Sequence, residues 1–216
     1  MDHMLRYNLC TSVSMTDVGA YIPIYSHAHS DPATAPTITG FTMGTGRLSG
    51  DPEAVAVLDT VAVVPSGDWK KVGGTYPEIV SGPIPMTQAA GPLIFLTGYS
   101  GRDRANFPIV TFDQLRDHGK LMGLGHFDDP EAETMMCQAW HIYRTYEQLL
   151  KEAGSDISQV VHQVLYLVDV SKLAALERVG RLIYGGKVPP TTVIGADEIG
   201  PSPELQLEID VVAVPS

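Results

Sequence analysis

Cysteine is nearly absent: Cys10 and Cys137 are the only two in 216 residues. That excludes a disulfide scaffold, and both can stay reduced thiols. Basic residues are few, 14 Lys and Arg against 25 Asp and Glu, for a net charge of −11. A surface of that sign repels phosphate backbones, so nucleic acid is not expected as a partner. Long apolar runs are missing. Pro92-Leu93-Ile94-Phe95-Leu96 is among the longest and is strand-sized, so no membrane partner is expected either. The start, Met1-Asp2-His3-Met4-Leu5-Arg6, has no basic segment followed by an apolar stretch, which argues against a secretory signal and for a cytoplasmic chain. There is no low-complexity tract, and Gly and Pro scattered along the whole length rule out a coiled coil. What remains is 44% hydrophobic, enough for a real core.

One long amphipathic helix is plain. Asp129-Pro130-Glu131 supplies a cap, a first-turn proline and acid near the positive helix end. Ala132, Met136, Ala139, Tyr143, Tyr146 and Leu150 recur at helical spacing up to Gly154. Val160–Val168 is β-branched and apolar, a strand. Ser171 is placed to cap a second helix with Leu173, Leu176, Val179 and Leu182 as its buried stripe, stopped by Pro189-Pro190. Leu93–Thr97, Thr191–Ile194 and Leu205–Val214 read as further strands. Residues 76–216 thus read as an α+β two-layer domain, a sheet with two helices packed on one face.

The first 66 residues repeat the end of that pattern. Tyr7–Val13 resembles the strand at 160–168, and Thr16–Ser26 stands where the second helix would, weakened by Pro23. Ala35-Pro36-Thr37 matches Pro189-Pro190-Thr191, and Leu58-Asp59-Thr60-Val61-Ala62-Val63 matches Ile209-Asp210-Val211-Val212-Ala213-Val214. The organisation expected is a half-unit over 1–66, a linker over 67–75 and a full unit over 76–216. A half-unit has an open sheet edge and an incomplete core, so it must pair with the full unit or with another subunit.

Residues 76–216 resemble the RidA/YjgF family, whose members adopt a chorismate-mutase-like α+β fold. The motifs carrying the resemblance are Gly82-Pro83, Gly91, Leu93-Ile94-Phe95-Leu96-Thr97-Gly98, Ala153-Gly154, Leu167-Val168-Asp169, Pro189-Pro190-Thr191 and the closing Leu207–Val214. Residues 1–66 resemble the C-terminal half of the same family. The resemblance implies a small-molecule substrate, no cofactor, and a homotrimer with sites between subunits or a pseudo-symmetric oligomer. The family's imine-hydrolysing members hold a carboxylate with an Arg after the Pro motif. That position is Thr191 here and Thr37 in the half-unit, so the Arg is absent. The family Tyr after Gly-Pro falls on Ile84, and the family Asn in the second helix falls near Glu177. Gly98 stands where a backbone N–H meets the ligand. Glu208 stands where the family keeps a carboxylate that activates water, and the half-unit has Val57 there.

Hydrolysing an imine needs a water, a proton acceptor and a grip on the substrate. Glu208 is the candidate acceptor. Flanked by Leu207 and Ile209, it points away from their face; on the strand pattern alone it would be a solvent-facing residue. Gly98 N–H and the Thr191 hydroxyl are candidate donors. Arg102 or Arg104, in the loop after Gly98, would supply charge in place of the missing Arg, since a Thr hydroxyl is no substitute for its fork. The leading expectation is a RidA-like hydrolase or deaminase of a reactive imine or enamine, other than a standard imino acid. Alternatives are chorismatase-like or other altered chemistry on a cyclic molecule, and a non-catalytic binding or assembly module. The charge argues against ribonuclease activity.

No metal is expected. His27, His29 and Asp31 share a short segment, but no further ligand cluster has matching spacing, and helix-end polar residues are the plainer account. Cys137 reads as a packing thiol. Leu121-Met122-Gly123-Leu124-Gly125 lacks the Lys of a phosphate cradle.

Overall fold

The Asp129 carboxylate accepts hydrogen bonds from the backbone N–H of Glu131 (3.0 Å) and Ala132 (3.4 Å), and Pro130 follows it as the first residue of helix α1, Pro130–Glu152. All six residues of the expected stripe are buried, and Met135, Ile142 and Leu149 widen it. Gly154, at φ 77°, ends the helix in the left-handed conformation that glycine adopts without cost. The computed structural model describes residues 4–11, 27–29, 31, 35–42, 56–63, 71–76, 84–105, 107–115, 117–124, 129–200 and 202–216. The helix expected over 16–26 lies outside them; His27 and Ala28, just beyond it, are helical and exposed.

The large sheet is built from β4 (Lys71–Gly74), β5 (Thr87–Ala90), β6 (Leu93–Leu96), β7 (Tyr99–Ser100), β8 (Val160–Leu167), β9 (Thr191–Gly195) and β10 (Leu207–Ala213). Its order is β4-β5-β6-β10-β8-β9, with β7 also pairing β10. Helix α2 (Leu173–Ile183) joins β8 to β9, which run parallel. Leu207, Ile209, Val211 and Ala213 on β10 pack with Leu165, Leu167, Ile94 and Leu96 under the two helices. The Tyr146 hydroxyl, from α1, lies in hydrogen-bond reach of the Thr97 carbonyl (2.9 Å) and the Ile209 carbonyl, pinning the helix over the break between β6 and β7. This is the α+β architecture expected, a sheet with two helices on one face. No helix among the described residues is long and apolar enough to cross a membrane.

Three local expectations need correction. The cap before α2 is Asp169, which accepts from Ser171 N–H (2.9 Å) and starts a short 3-10 turn over Val170–Lys172. Ser171 is therefore one of the residues being capped. Leu182 is 40% exposed, while Ile183 packs on the core. Each three-residue step falls about 60° short of a full turn, so three steps from Leu173 end on the opposite side. Finally, the expected linker contains β4, paired antiparallel with β5 from Lys71↔Ala90 to Gly74↔Thr87. Gly74 is glycine because a Cβ there would meet the Tyr76 hydroxyl at 2.6 Å and Thr87 Oγ1 at 2.9 Å.

The N-terminal strands are β1 (Met4–Thr11), β2 (Thr37–Thr42) and β3 (Ala56–Ala62). β1 is central, parallel to β2 and antiparallel to β3. β8 has the same relation to β9 and β10. These strands cover the face of the large sheet that the helices leave open. Val61 and Val63 pack on Ala90, Phe95 and Val212. Arg6 forms an ion pair with Asp210 (3.3 Å) and stacks over the Phe95 ring at 5.5 Å. The N-terminal segment thus finds its packing partner in its own chain, and β10 is buried at every residue.

Gly101 follows β7 so closely under α1 that a Cβ there would coincide with the Gln138 side chain. That side chain cannot yield freely, because its amide donates to the Glu204 carbonyl and accepts from Gln206 N–H, both at 2.8 Å. Gly101→Ala should cost about 1–3 kcal/mol by overpacking. Thermal melting should show it as a Tm lowered by several degrees; an unchanged Tm would contradict this packing.

Candidate functional site

Gln163 is a polar residue in the apolar run of β8, and its alternation carries it to the helix face. There its Oε1 accepts from the Tyr143 hydroxyl (3.0 Å) and the Tyr184 hydroxyl (3.1 Å). Its Nε2 donates to Thr191 Oγ1 (2.8 Å), and the Thr191 hydroxyl donates onward to the Pro189 carbonyl (2.8 Å). Two phenols therefore fix the amide, and the amide fixes Thr191. The Tyr143 and Tyr184 rings meet edge-on at 5.5 Å, and burial pushes both phenols well up, so they remain protonated donors.

This chain of bonds lies along a cavity of about 480 Å³ between α2 and strands β8 and β9. Leu165, Leu176 and Val193 give it an apolar wall. Glu177, Arg181 and Lys187 stand on its exposed rim, with Arg181 Nη2 3.4 Å from the Glu177 carboxylate. An apolar wall, a fixed polar floor and both charge signs at the mouth suit a small polar organic molecule.

The residues nominated from the sequence fall into two groups. Thr191 and Glu177 line the cavity. Glu208 does not. It sits opposite Tyr166 on β8 and Ser100 on β7, while Thr191 sits opposite Gln163, which is opposite Val211. Side chains alternate faces along a strand, so Thr191 shares the helix face with Val211, and Glu208 projects from the other face with Asp210. Within one chain, Glu208 and Thr191 cannot act on one bound molecule. Glu208 is 6% exposed beneath the N-terminal strands, which also corrects the solvent-facing pattern.

Gly98 belongs to the second group. Its N–H is already spent on the Ile38 carbonyl of β2 (2.8 Å). The proton of Thr191 is likewise committed to Pro189, leaving Thr191 as an acceptor, so neither expected donor is available. Ile84 is half-buried, just before Pro85, whose carbonyl accepts from the Thr97 hydroxyl (2.6 Å). Arg102 bridges to Pro108 in its loop, its carbonyl accepting from the Tyr99 hydroxyl (2.7 Å); Arg104 is exposed. Neither lines the cavity. Sequence reasoning missed Gln163, Arg181, Lys187 and Arg6; a Gln inside VVHQVLYLV was the one visible signal.

Among the described residues, no group of three or more His, Cys, Asp or Glu is arranged to hold a metal ion. Cys137 is fully buried, and burial, reinforced by Glu133, pushes its thiol from 9.0 up to about 12. Burial likewise raises Tyr99 from 10.0 to about 12. Both groups hold their protons more tightly folded than unfolded. Their stabilisation is complete below pH about 9 and is lost as pH climbs toward 12. Denaturant midpoints should fall steadily across that window. In a Cys10→Ser chain, native Cys137 should resist alkylation at pH 8 and react once unfolded; rapid native labelling would contradict its burial.

The comparisons with known proteins follow this geometry. The sequence model of the endoribonuclease L-PSP family matches residues 127–215, which hold α1, α2, β8, β9 and β10. A candidate endoribonuclease from Klebsiella pneumoniae superposes with a TM-score of 0.55 at 22% identity, over 60% of this chain and 99% of that one. Yeast Mmf1 superposes with a TM-score of 0.51 at 13% identity, over 68% of this chain and 100% of that one. A candidate endoribonuclease from Thermotoga maritima gives 0.51 at 12% identity, over 67% and 97%. At these identities the likeness establishes the fold. Whole single-domain structures of this kind account for about two thirds of this chain.

Proposed function

Because the C-terminal domain, matched over residues 127–215, belongs to the RidA/YjgF (L-PSP) family, we propose that this chain hydrolyses a small imine or enamine in the cavity between α2 and β9. The observation that carries the reading is the fixed floor, Tyr143 and Tyr184 to Gln163 to Thr191, beneath an opening with a carboxylate and two cations. The family name also points to RNA cleavage. A net charge of −11 and a cavity of small-molecule size favour the small substrate.

The chemistry asks little of the protein. Water adds its oxygen to the imine carbon while a base takes its proton, and the nitrogen gains a proton. In the resulting carbinolamine the nitrogen takes a second proton, the hydroxyl gives its proton up, and the C–N bond breaks, giving a carbonyl compound and ammonia; an enamine first takes a proton on carbon to become the imine. Thr191 has a lone pair left to accept from the substrate's N–H. In this reading Glu177, the carboxylate on the rim, takes the proton from water, and Lys187 supplies one to the departing nitrogen. The two cations also provide attraction for an anionic group, which the missing family Arg no longer does. Glu208, on the other face of the sheet, is outside this reading.

Ammonia release from freshly generated imines tests it. Glu177→Gln should lower kcat/KM by roughly 10²-fold, the usual worth of a positioned base. Thr191→Val should lower it by about tenfold, the worth of one hydrogen bond. If Glu208→Gln alone abolishes turnover with the fold intact, the chemistry belongs to the opposite face and the cavity reading fails.

A further inference from the structure

The N-terminal strands dock through a segment that the chain carries twice. Ala35-Pro36-Thr37 and Pro189-Pro190-Thr191 open β2 and β9, and each Thr stands opposite a polar residue of the neighbouring parallel strand, Arg6 or Gln163. In the first copy this segment is seated. Gln88 Nε2 donates to the Ala35 carbonyl, Ile38 N–H donates to Thr97 Oγ1 (3.3 Å), and Gly98 N–H donates to the Ile38 carbonyl (2.8 Å). In the second copy it is not. Pro190, Thr191 and Thr192 are exposed, and among the described residues β9 pairs with β8 alone.

We infer that the strands β1, β2 and β3 occupy, within the chain, the surface on which the β9 edge of a second copy would otherwise dock. Two segments of one motif and one topology fit the same acceptor by quasi-equivalence. The acceptor is local: Thr97-Gly98 lies between β6 and β7, where Thr97 Oγ1 accepts from Ile38 N–H while its own proton goes to the Pro85 carbonyl, and Gly98 N–H points to the Ile38 carbonyl. The N-terminal copy has no counterpart of Gln88 and Gly98, because it repeats only the part of the full unit that follows β7. Each chain therefore has one acceptor, filled by itself, and one β9 edge with nowhere to seat. Tethering gives the internal copy a high effective concentration that a separate chain must beat.

The Arg6–Asp210 ion pair is the latch of this internal contact. Arg6 is 9% exposed and Asp210 fully buried, and the Tyr166 hydroxyl holds the second Asp210 oxygen at 3.1 Å. Reversing the charge at Arg6 sets three carboxylates, at positions 6, 208 and 210, under one cover. The latch residues Arg6 and Asp210 do not line the cavity, so their variants leave the cavity lining intact.

Light scattering on the full chain over a wide concentration range is the test, with limited proteolysis of residues 1–66 to follow release. The wild type should show the mass of one chain at all concentrations. Arg6→Glu, and Asp210→Asn as a gentler second variant, should release the N-terminal segment and make the mass rise with concentration. Adding Thr192→Arg on the β9 edge should reverse that rise. A wild type that is already oligomeric overturns the inference. So do folded variants that stay single-chain after release, variants that hold the segment as tightly as the wild type, and association that Thr192→Arg leaves intact.

Discussion

A fully buried carboxylate at the centre of a sheet is the constraint around which this protein is arranged. Asp210 lies on β10, the strand that β6, β7 and β8 all pair with, and no water reaches it. An isolated charge in that place would cost several kcal/mol. Among the groups that meet the cost are the Tyr166 phenol within the sheet and the Arg6 guanidinium from outside it. Burial, together with the negative charge of Asp210 and Glu208, drives Tyr166 and Tyr146 far up, so both phenols stay protonated, Tyr166 donating to Asp210 and Tyr146 to backbone carbonyls on the helix side. Removing Arg6 would take from the buried carboxylate the cation it pairs with. The N-terminal strands are thus bound by electrostatic necessity as well as by the apolar contact of Val61 and Val63 with Phe95 and Val212.

That arrangement divides the molecule into two faces with different work. One face is sealed: Arg6, the β2 edge and the valines of the N-terminal segment cover Glu208, Gly98 and Asp210. The other carries the helices, and between α2 and the β9 edge it stays open as a cavity with a fixed polar floor. Chemistry needs access and packing needs exclusion. The same fold thereby places its solvent-reached polar groups on one side of β8 and its buried charges on the other.

Much of the fold was legible because its signals are local. The Asp129 cap, the first-turn proline, the apolar stripe of α1 and the β-branched run of β8 each act within a few residues. Strands were also legible near β1 and β3, and β1, β2 and β3 pair in the same sense as β8, β9 and β10. What escaped depends on distant partners. β4 looked like a linker because Gly73-Gly74 reads as flexible, whereas Gly74 is small to admit Tyr76. The face of Thr191 relative to Glu208 is decided by the registers of two other strand pairs, β8 with β9 and β8 with β10, which no single stretch of sequence states. Nothing near Arg6 in the sequence marks it, since its partner is 204 residues away.

The central claim is that the small molecule binds on the helix face, apart from Glu208. A stable oxime, mimicking the imine, titrated into isotope-labelled protein would test it through backbone amide chemical shifts. The account predicts changes centred on Gly186, Lys187, Thr191 and Val193. Changes centred on Gly98, Ser100 and Glu208 would contradict it.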